Sequence, residues 1–167
     1  MKRIFVTIVC LFHTIVYAEN LLNNPGFDKL NLDGLPAHWD LFVMPNHEAI
    51  GRVDTITHDG NYSAMLYTPT PYAQEPFNNW SQIVYDDLVG VPLKLSASVR
   101  TENVSEAALW IQCFSKKRSR ILATASTTTA FPLTGTQGWI LVSTEITPPP
   151  NTDFIVIRCA ITGKGKA

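Results

Sequence analysis

The chain has 167 residues, a formal net charge of −1 at neutral pH and only 16% charged residues. This low and balanced charge argues against a partner held by electrostatics, and against nucleic acid above all, because such complexes depend on clustered Lys and Arg. The one basic cluster, from Lys116 to Arg120, lies where a turn between strands is expected, and a solvated hairpin tip is its simplest interpretation.

The first eighteen residues have the pattern of a secretory signal peptide. Lys2 and Arg3 precede an apolar run from Ile4 to Val16, and Val16-Tyr17-Ala18 offers small residues where a signal peptidase cleaves. The run has about 13 residues, whereas a membrane span needs roughly 20, so a membrane anchor is the weaker alternative. We therefore predict a signal peptide over 1–18, a single mature domain over 19–167 and a secreted protein, extracellular or periplasmic.

The mature chain is divided into short segments in which apolar and polar residues alternate, as they do in half-buried strands. Clusters of Gly, Pro, Asn and Asp separate the segments, and no window has a helical period. The predicted strands are 49–56, 62–68, 80–86, 93–114, 120–127, 139–146 and 154–161, and a polar connection over 102–106 interrupts the longest. Many short strands without intervening helices predict an all-β fold, an antiparallel β-sandwich.

The proline-rich segment from residue 68 to residue 79 predicts an irregular loop. Pro69, Pro71 and Pro76 interrupt the strand pattern there, because proline cannot donate to a sheet. The segment also carries Tyr72 and Phe77. Aromatic residues exposed on a loop are candidates for ligand contact.

The segment from Leu93 to Phe114 places polar and aromatic residues together on its non-core face. An indole ring can stack on the C–H face of a sugar, while guanidinium and amide groups hydrogen-bond to its hydroxyls. We therefore predict a binding face for a hydroxyl-rich ligand. Its residues are Arg100, Trp110, Gln112 and, from the alternation of the last strand, Arg158.

Trp80 lies beside the proline-rich loop and is a further candidate for this binding face. A different interpretation of the same residues needs no ligand. Trp110 would then cover an outer sheet face, and the arginines would keep that face soluble.

Cys113 and Cys159 are the two cysteines of the mature chain, and both occupy core-face positions of apolar strands. A secreted protein permits a disulfide between them if their strands are neighbours with the alpha carbons close together. Two buried free thiols are an equally good interpretation, because free cysteine is among the most buried residue types.

A catalytic site has little support in the sequence. The histidines lie in or beside turns, and none belongs to a metal-ligand spacing or a nucleophile motif. Asp86 and Asp87 would point to opposite faces of a strand, so they could not act together as general acid and base. We predict that this chain is not an enzyme.

Several motifs along the chain resemble those of the galactose-binding-like jelly rolls. The motifs are Asn24-Pro25-Gly26-Phe27-Asp28, Gly34-x-Pro36-x-x-Trp39, His58-Asp59-Gly60-Asn61-Tyr62-Ser63, Trp80-Ser-Gln82, Ser98-Val99-Arg100, Leu133-Thr-Gly135-Thr-x-x-Trp139 and Gly163-x-Gly165. The chain is similar to the carbohydrate-binding modules of families four, nine, sixteen and twenty-two, which accompany cellulases and xylanases. Such modules usually close with a strand containing tandem aspartates, and here the chain reaches Ala167 without one.

The resemblance implies a jelly-roll β-sandwich and a monomeric, non-catalytic module that binds a polysaccharide or another glycan, with no membrane span. Such a module can be the accessory part of a glycoside hydrolase. The alternative function is a structural or protein-interaction domain of the same fold with no sugar site, because motifs of this kind specify fold more than function.

The resemblance also implies a structural calcium ion, bound near the chain ends. Its ligands in the family match Asp28 and the turn that contains Asp59 and Asn61, a set of hard oxygen donors that suits calcium. Without the closing aspartate, we expect weak calcium binding. The alternative is that Asp28 only caps a turn.

Overall fold

The computed structural model describes residues 19–45, 48–116 and 120–167, and the predicted signal peptide lies outside these ranges. All regular elements in the described part are strands, so no helix there is long and apolar enough to cross a membrane. The strands are β1 (Asp40–Phe42), β2 (Ile50–Asp54), β3 (Ser63–Tyr72), β4 (Asn78–Val84), β5 (Leu93–Ser115), β6 (Arg120–Ser126), β7 (Leu133–Ile146) and β8 (Phe154–Lys166). The predicted all-β class is confirmed.

Two long strands, β5 and β8, connect all the others through antiparallel pairing. The first part of β8 lies between β4 and the second half of β5, and β1 extends the sheet beyond β4. The end of β8 pairs with β3, which in turn pairs with β2. The first half of β5 pairs with β7, and its last residues pair with β6. The curled sheet that results encloses one hydrophobic core.

The core is built from the alternate residues that the strand pattern assigns to one face. Ile111, Cys113 and Val142 are almost completely buried, and Ile155 and Ile161 reach them from β8. Burying one large aliphatic side chain stabilises the fold by about 1.5–3 kcal/mol, so this cluster makes a large favourable contribution to folding.

The polar connection predicted over 102–106 is wrong, because β5 continues through it as one strand. Both edges of β5 are paired there: Val104 lies opposite Gly135 of β7, and Glu106 lies opposite Thr162 of β8. Val104 is only 3% exposed and belongs to the core. Register shifts in the pairing with β7 between Val99 and Ala107 accommodate the polar residues. Such bulges change which face the following side chains point to.

The proline-rich segment begins as strand, which corrects the predicted loop from residue 68 to residue 79. β3 extends to Tyr72 in spite of Pro69 and Pro71, and its pairing with β8 is irregular between Thr68 and Tyr72. Because proline lacks an N–H donor, it is tolerated at such an irregularity. The loop proper is therefore short and ends at Phe77, before β4.

Cys113 and Cys159 are free thiols on neighbouring strands. Cys159 lies opposite Leu109, four residues along β5 from Cys113, which separates the two cysteines by roughly 13 Å along the strands. The disulfide alternative is therefore excluded. Of the two free thiols, Cys113 is buried as predicted, whereas Cys159 is only partly buried and packs against the core. Burial raises the pKa of the Cys159 thiol to about 12 and also raises the pKa of Cys113.

Gln82 attaches the irregular N-terminal segment to the sheet. Its side-chain amide donates to the carbonyls of Asn23 and His38, and its Oε1 accepts from the N–H of Asn23 at 2.7 Å. Trp39 packs on Phe27 and donates its indole N–H to Asn24 O at 3.1 Å. The motifs that carried the family resemblance thus make structural contacts.

Candidate functional site

Three of the predicted binding residues meet on one face of the sheet. Trp110 and Gln112 are alternate residues of β5, and Trp110 lies directly opposite Arg158 of β8. Ile111, between the first two, is 1% exposed and points into the core, so the half-buried Trp110 and Gln112 point away from it. The alternation continues without a shift along this part of the β5–β8 pair, which is why it predicted the common face correctly.

The loop between β3 and β4 turns this face into a groove of about 330 Å³. Phe77 of the loop approaches Trp110, with ring centroids 6.5 Å apart and planes inclined by 39°. The residues that line the groove are Glu75, Pro76, Phe77, Trp110, Gln112, Phe114, Ile121, Arg158 and Ala160. We call this site the β5–β8 groove.

Sequence reasoning selected Phe77 as a loop aromatic, and the structure places it in the β5–β8 groove. Tyr72, selected on the same grounds, is 5% exposed and buried within β3. Glu75, Phe114 and Ile121 were missed. Phe114 shares its face of β5 with Trp110 and Gln112, so the alternation could have found it, whereas the position of Glu75 depends on the path of the loop.

Polar groups in the β5–β8 groove have unused hydrogen-bonding capacity. The Oε1 atom of Gln112 is buried and has no hydrogen-bond partner among the described residues. Desolvation lowers the pKa of the Arg158 guanidinium, and the nearby negative charge of Glu75 opposes that shift. Arg158 remains protonated and has no direct ion-pair partner in the described part of the chain. A ligand with both donors and acceptors would satisfy these groups.

Arg100 does not belong to the β5–β8 groove, which corrects the predicted binding face. It lies between Val99 and Thr101, where the β5–β7 register shifts, and further shifts follow before Ala107. Each shift breaks the strict alternation that related Arg100 to Trp110. Arg100 is instead among the residues around a separate cavity that opens into the core, which we call the core cavity.

Trp80 was predicted as a binding residue, but the structure places it in the core, where it is 1% exposed. Its indole N–H donates to Met65 O at 3.2 Å, so its polar atom is satisfied inside the protein. Trp80 alternates with the buried Gln82 and Val84 along β4, whereas Ser81 and Ile83 face outward. The sequence alone does not show this arrangement, because the polar Gln82 lies on the buried side and the apolar Ile83 on the outer side.

The residues predicted to hold calcium come together only in part. Asp28 reaches the predicted turn, where its Oδ1 accepts a hydrogen bond from the main-chain N–H of Asn61 at 2.9 Å. The Asp59 carboxylate contacts the His58 ring instead. A carboxylate has two oxygens with about four lone-pair positions, so this one hydrogen bond leaves Asp28 able to accept a further partner. The contacts are those of a turn cap, and calcium binding at Asp28, Asp59 and Asn61 stays a prediction.

Groups of three or more His, Cys, Asp or Glu side chains that could hold a metal ion do not occur within 19–45, 48–116 and 120–167. Asp86 and Asp87 follow the end of β4 and are both exposed. His58 lies at the edge of Trp139, with ring centroids 5.8 Å apart. Among the described residues, the β5–β8 groove is the candidate functional site.

The sequence matches no family model and no curated protein. Many solved structures have a similar fold, and three of them illustrate the similarity. A CBM4 structure shares 14% identity and a TM-score of 0.57 over 86% of this chain and 92% of that one. The CBM22-2 xylan-binding domain of Paenibacillus barcinonensis Xyn10C shares 14% identity and a TM-score of 0.51 over 79% of this chain and 81% of its own.

The third structure is the enzymatically active domain of tailspike protein 4 from bacteriophage CBA120. It shares 13% identity and a TM-score of 0.66 over 88% of this chain, which spans 20% of that domain. Identities this low establish the fold alone. The chain has the jelly-roll β-sandwich of the CBM4 and CBM22 modules, and the resemblance stated from the sequence motifs is confirmed at the level of fold.

Proposed function

We propose that this chain is a secreted, non-catalytic module that binds a glycan in the β5–β8 groove. One observation carries the proposal: Trp110, the unpartnered Oε1 of Gln112 and the guanidinium of Arg158 lie together in one groove. Such a combination of an aromatic platform and unsatisfied polar groups is what a small, hydroxyl-rich ligand requires. The fold shared with CBM4 and CBM22 structures supports the same function.

In the proposed complex, a pyranose ring stacks on the indole of Trp110, and Phe77 closes the other side of the groove. A sugar hydroxyl donates to the buried Oε1 of Gln112, and another accepts from Arg158. Each of these bonds satisfies a group that is desolvated in the free protein, so each contributes more than a hydrogen bond formed at an open surface.

The charge of the groove favours a neutral glycan. Arg158 and Glu75 both line it and have opposite charges, so their fields largely cancel at the centre. A carboxylated sugar would gain from Arg158 but would meet Glu75. The xylan-binding domain with this fold makes a neutral xylo-oligosaccharide the first ligand to test.

The test is calorimetric titration of residues 19–167 with xylohexaose and with other neutral and acidic oligosaccharides. Trp110→Ala should weaken binding by roughly 30-fold or more, the effect of removing a buried aromatic anchor. Arg158→Met should weaken it by about tenfold or more, and Arg100→Met is the matched control because Arg100 lies outside the groove. The variants must melt as cooperatively as the parent protein.

If none of a broad set of plant, microbial and host glycans binds, the proposal fails and the structural or protein-interaction domain is the better function. Equal losses in Arg158→Met and Arg100→Met would place binding outside the β5–β8 groove. A third outcome, unchanged binding in Trp110→Ala, would remove the stacking platform from the mechanism.

A further inference from the structure

A gap between β3 and β5 lies at the core cavity. Residues 63–66 of β3 line one side of the cavity, and residues 97–102 of β5 line the other. At the end of this gap, Lys166 of β8 lies between Tyr67 of β3 and Glu102 of β5 and is paired with both. Neighbouring strands lie about 4.8 Å apart, so one further strand fits between β3 and β5 along the line of β8.

The strand edges on both sides of the gap are unpaired among the described strands. β3 pairs with β2 along one edge, and along the other it pairs with β8 only from Leu66 onward, where Leu66 and Ala167 exchange two main-chain hydrogen bonds. β5 pairs with β7 along one edge from Leu93 to Val99, and with β8 along the other only from Glu102 onward. Because main-chain groups of alternate residues point to the same side, the N–H and C=O of Ala64 point into the gap.

The side chains beside the gap face the core. Leu66, Ala167 and Thr101 lie side by side at the end of β8, where Leu66 and Thr101 are 3% and 2% exposed and Ala167 packs against the core. Two residues further along, Ala64 and Val99 also pack against the core and flank the position of a further strand. The core cavity at this position has a mostly apolar wall and a volume of about 130 Å³, near that of cavities that accept benzene. The position therefore suits an apolar side chain.

We propose that the core cavity is a docking site for one extended strand of a separate polypeptide, which inserts between β3 and β5 and is antiparallel to both. Each described strand is already paired in the sheet, so none of them is available for this position. The inserted strand pairs with main-chain groups on both of its sides and places an apolar side chain between Ala64 and Val99. Strand addition gains affinity from such main-chain pairing and specificity from such side-chain pockets. This site is independent of glycan binding.

Charge defines the outer face of the inserted strand. Thr101 faces the core, so its neighbour Arg100 faces the opposite side of β5. Arg100 forms no ion pair with any described residue. The residue of the inserted strand next to the apolar one lies beside Arg100, and an acidic side chain is favoured there. The partner is therefore an extended segment in which apolar and acidic residues alternate.

The probe is a capped peptide of about six residues, the usual length of a strand, in which valine alternates with glutamate. The matched control has the same composition, with all valines placed before the glutamates. Trp80 and Trp139 line the core cavity, so binding of the alternating peptide to residues 19–167 should change the tryptophan fluorescence and raise the melting temperature. The grouped peptide should bind at least about tenfold more weakly, because it cannot place its apolar side chains on one face. N-methylation of the valines removes the N–H donors that face Ala64 and should weaken binding similarly.

Amide hydrogen exchange locates the bound peptide. The N–H of Ala64 should exchange more slowly in the complex. Amides of β7, which pairs only with β5 among the described strands, should be unchanged. Arg100→Met should weaken the glutamate peptide about two- to fivefold and leave a valine–serine peptide unaffected. Saturating the protein with xylohexaose should leave the Kd of the peptide unchanged.

The proposal is overturned if the alternating peptide does not bind at millimolar concentration, or if the grouped peptide binds as well. Protection of β7 in place of Ala64 would show addition to an open edge, and displacement by xylohexaose would place the peptide in the β5–β8 groove. Either result contradicts insertion between β3 and β5. Stabilisation that occurs only when the peptide sequence is joined to Ala167 would reject a separate chain as the source of the strand.

Discussion

The two halves of β5 differ in how regularly they are paired, and each half contributes to a different site. From Ala107 to Phe114 the pairing with β8 proceeds without a shift, and alternate side chains form the β5–β8 groove. From Val99 to Ala107 the pairing with β7 shifts repeatedly, and Arg100 and Thr101 line the core cavity. Regular pairing produces one continuous outward face, whereas the shifted stretch buries Thr101 and Val104 and leaves Glu102, Asn103 and Ser105 exposed.

The largest expected effect is the difference in stability between alanine variants of two tryptophans on opposite faces of the sheet, Trp80 and Trp110. Trp80 is 1% exposed and lines the core cavity, while Trp110 is half-buried in the groove. Trp80→Ala should reduce the free energy of unfolding by about 3–5 kcal/mol, the usual cost of emptying such a position. Trp110→Ala should cost much less stability and weaken glycan binding by roughly 30-fold or more.

Urea denaturation of both variants measures this difference, with far-ultraviolet circular dichroism as the probe. Equal losses of stability would mean that Trp110 is as much a core residue as Trp80, and the distinction between groove and core would not hold.

The regularity of pairing also explains how much of the molecule the sequence could predict. Alternation located most strands, the core cysteines and the common face of Trp110, Gln112 and Arg158, because those residues lie in uninterrupted stretches of the β5–β8 pair. It failed for Arg100, since the sequence gives no sign of the register shifts between β5 and β7. Bulges depend on how a neighbouring strand fits, which alternation within one strand does not contain.

Trp80 is a different case, because polarity does not mark the buried side of its strand. Trp80 and Val84 share that side with the polar Gln82, while the apolar Ile83 faces outward, so the sequence contains no alternation that assigns Trp80 to the core. Glu75 could not have been predicted, since its place in the groove depends on the conformation of a loop.

The second prediction compares two adjacent residues of β8, Arg158 in the groove and Cys159 at the core cavity. Burial raises the pKa of Cys159 from 9.0 to about 12, so the folded state holds its proton more tightly than the unfolded state. This stability is fully present below pH 9 and is lost as the pH rises from 9 toward 12. The free energy of unfolding can fall by up to about 1.4 kcal/mol for each pH unit in this range.

Urea unfolding at several pH values between 8 and 11 measures this slope for the parent protein and for Cys159→Ala. The alanine variant should lose part of the alkaline sensitivity, and Cys113 accounts for another part because burial raises its pKa as well. Identical pH profiles for the two proteins would show that the thiol of Cys159 is accessible to water.

The third prediction concerns the two unpartnered polar atoms, one in each site. The Thr101 hydroxyl and Gln112 Oε1 are both buried without a hydrogen bond among the described residues. Replacing such a group by an apolar one of similar shape should raise the free energy of unfolding by up to about 1 kcal/mol. Thr101→Val should do so without changing glycan affinity, whereas Gln112→Met should gain stability and lose affinity.

Thermal melting of both variants measures their stability, and titration with xylohexaose measures their glycan affinity. A gain of stability in neither variant would indicate that ordered water already satisfies these atoms. Loss of glycan affinity in Thr101→Val would connect the two sites and contradict their independence.

The smallest effect is expected at Asp28, which lies outside both sites. Its carboxylate accepts the main-chain N–H of Asn61 at 2.9 Å on an exposed part of the turn, so Asp28→Ala should destabilise the protein by only about 1 kcal/mol. Asn31 accepts main-chain N–H bonds from Asp33 and Leu35 in another exposed turn, which makes Asn31→Ala a matched control. Both variants should lose similar stability in urea unfolding.

The effect of calcium on the melting temperature distinguishes a turn cap at Asp28 from the metal site that the family resemblance implies. As a cap, Asp28 needs no cation, and the melting temperature should be the same with millimolar calcium as with a chelator. As a ligand, Asp28 would supply one of the six to eight oxygens that calcium prefers, and calcium would raise the melting temperature of the parent protein but not of Asp28→Ala. The hydrogen bond from Asn61 occupies one oxygen of the Asp28 carboxylate and leaves the other, so the melting temperatures with and without calcium decide between the cap and the ligand.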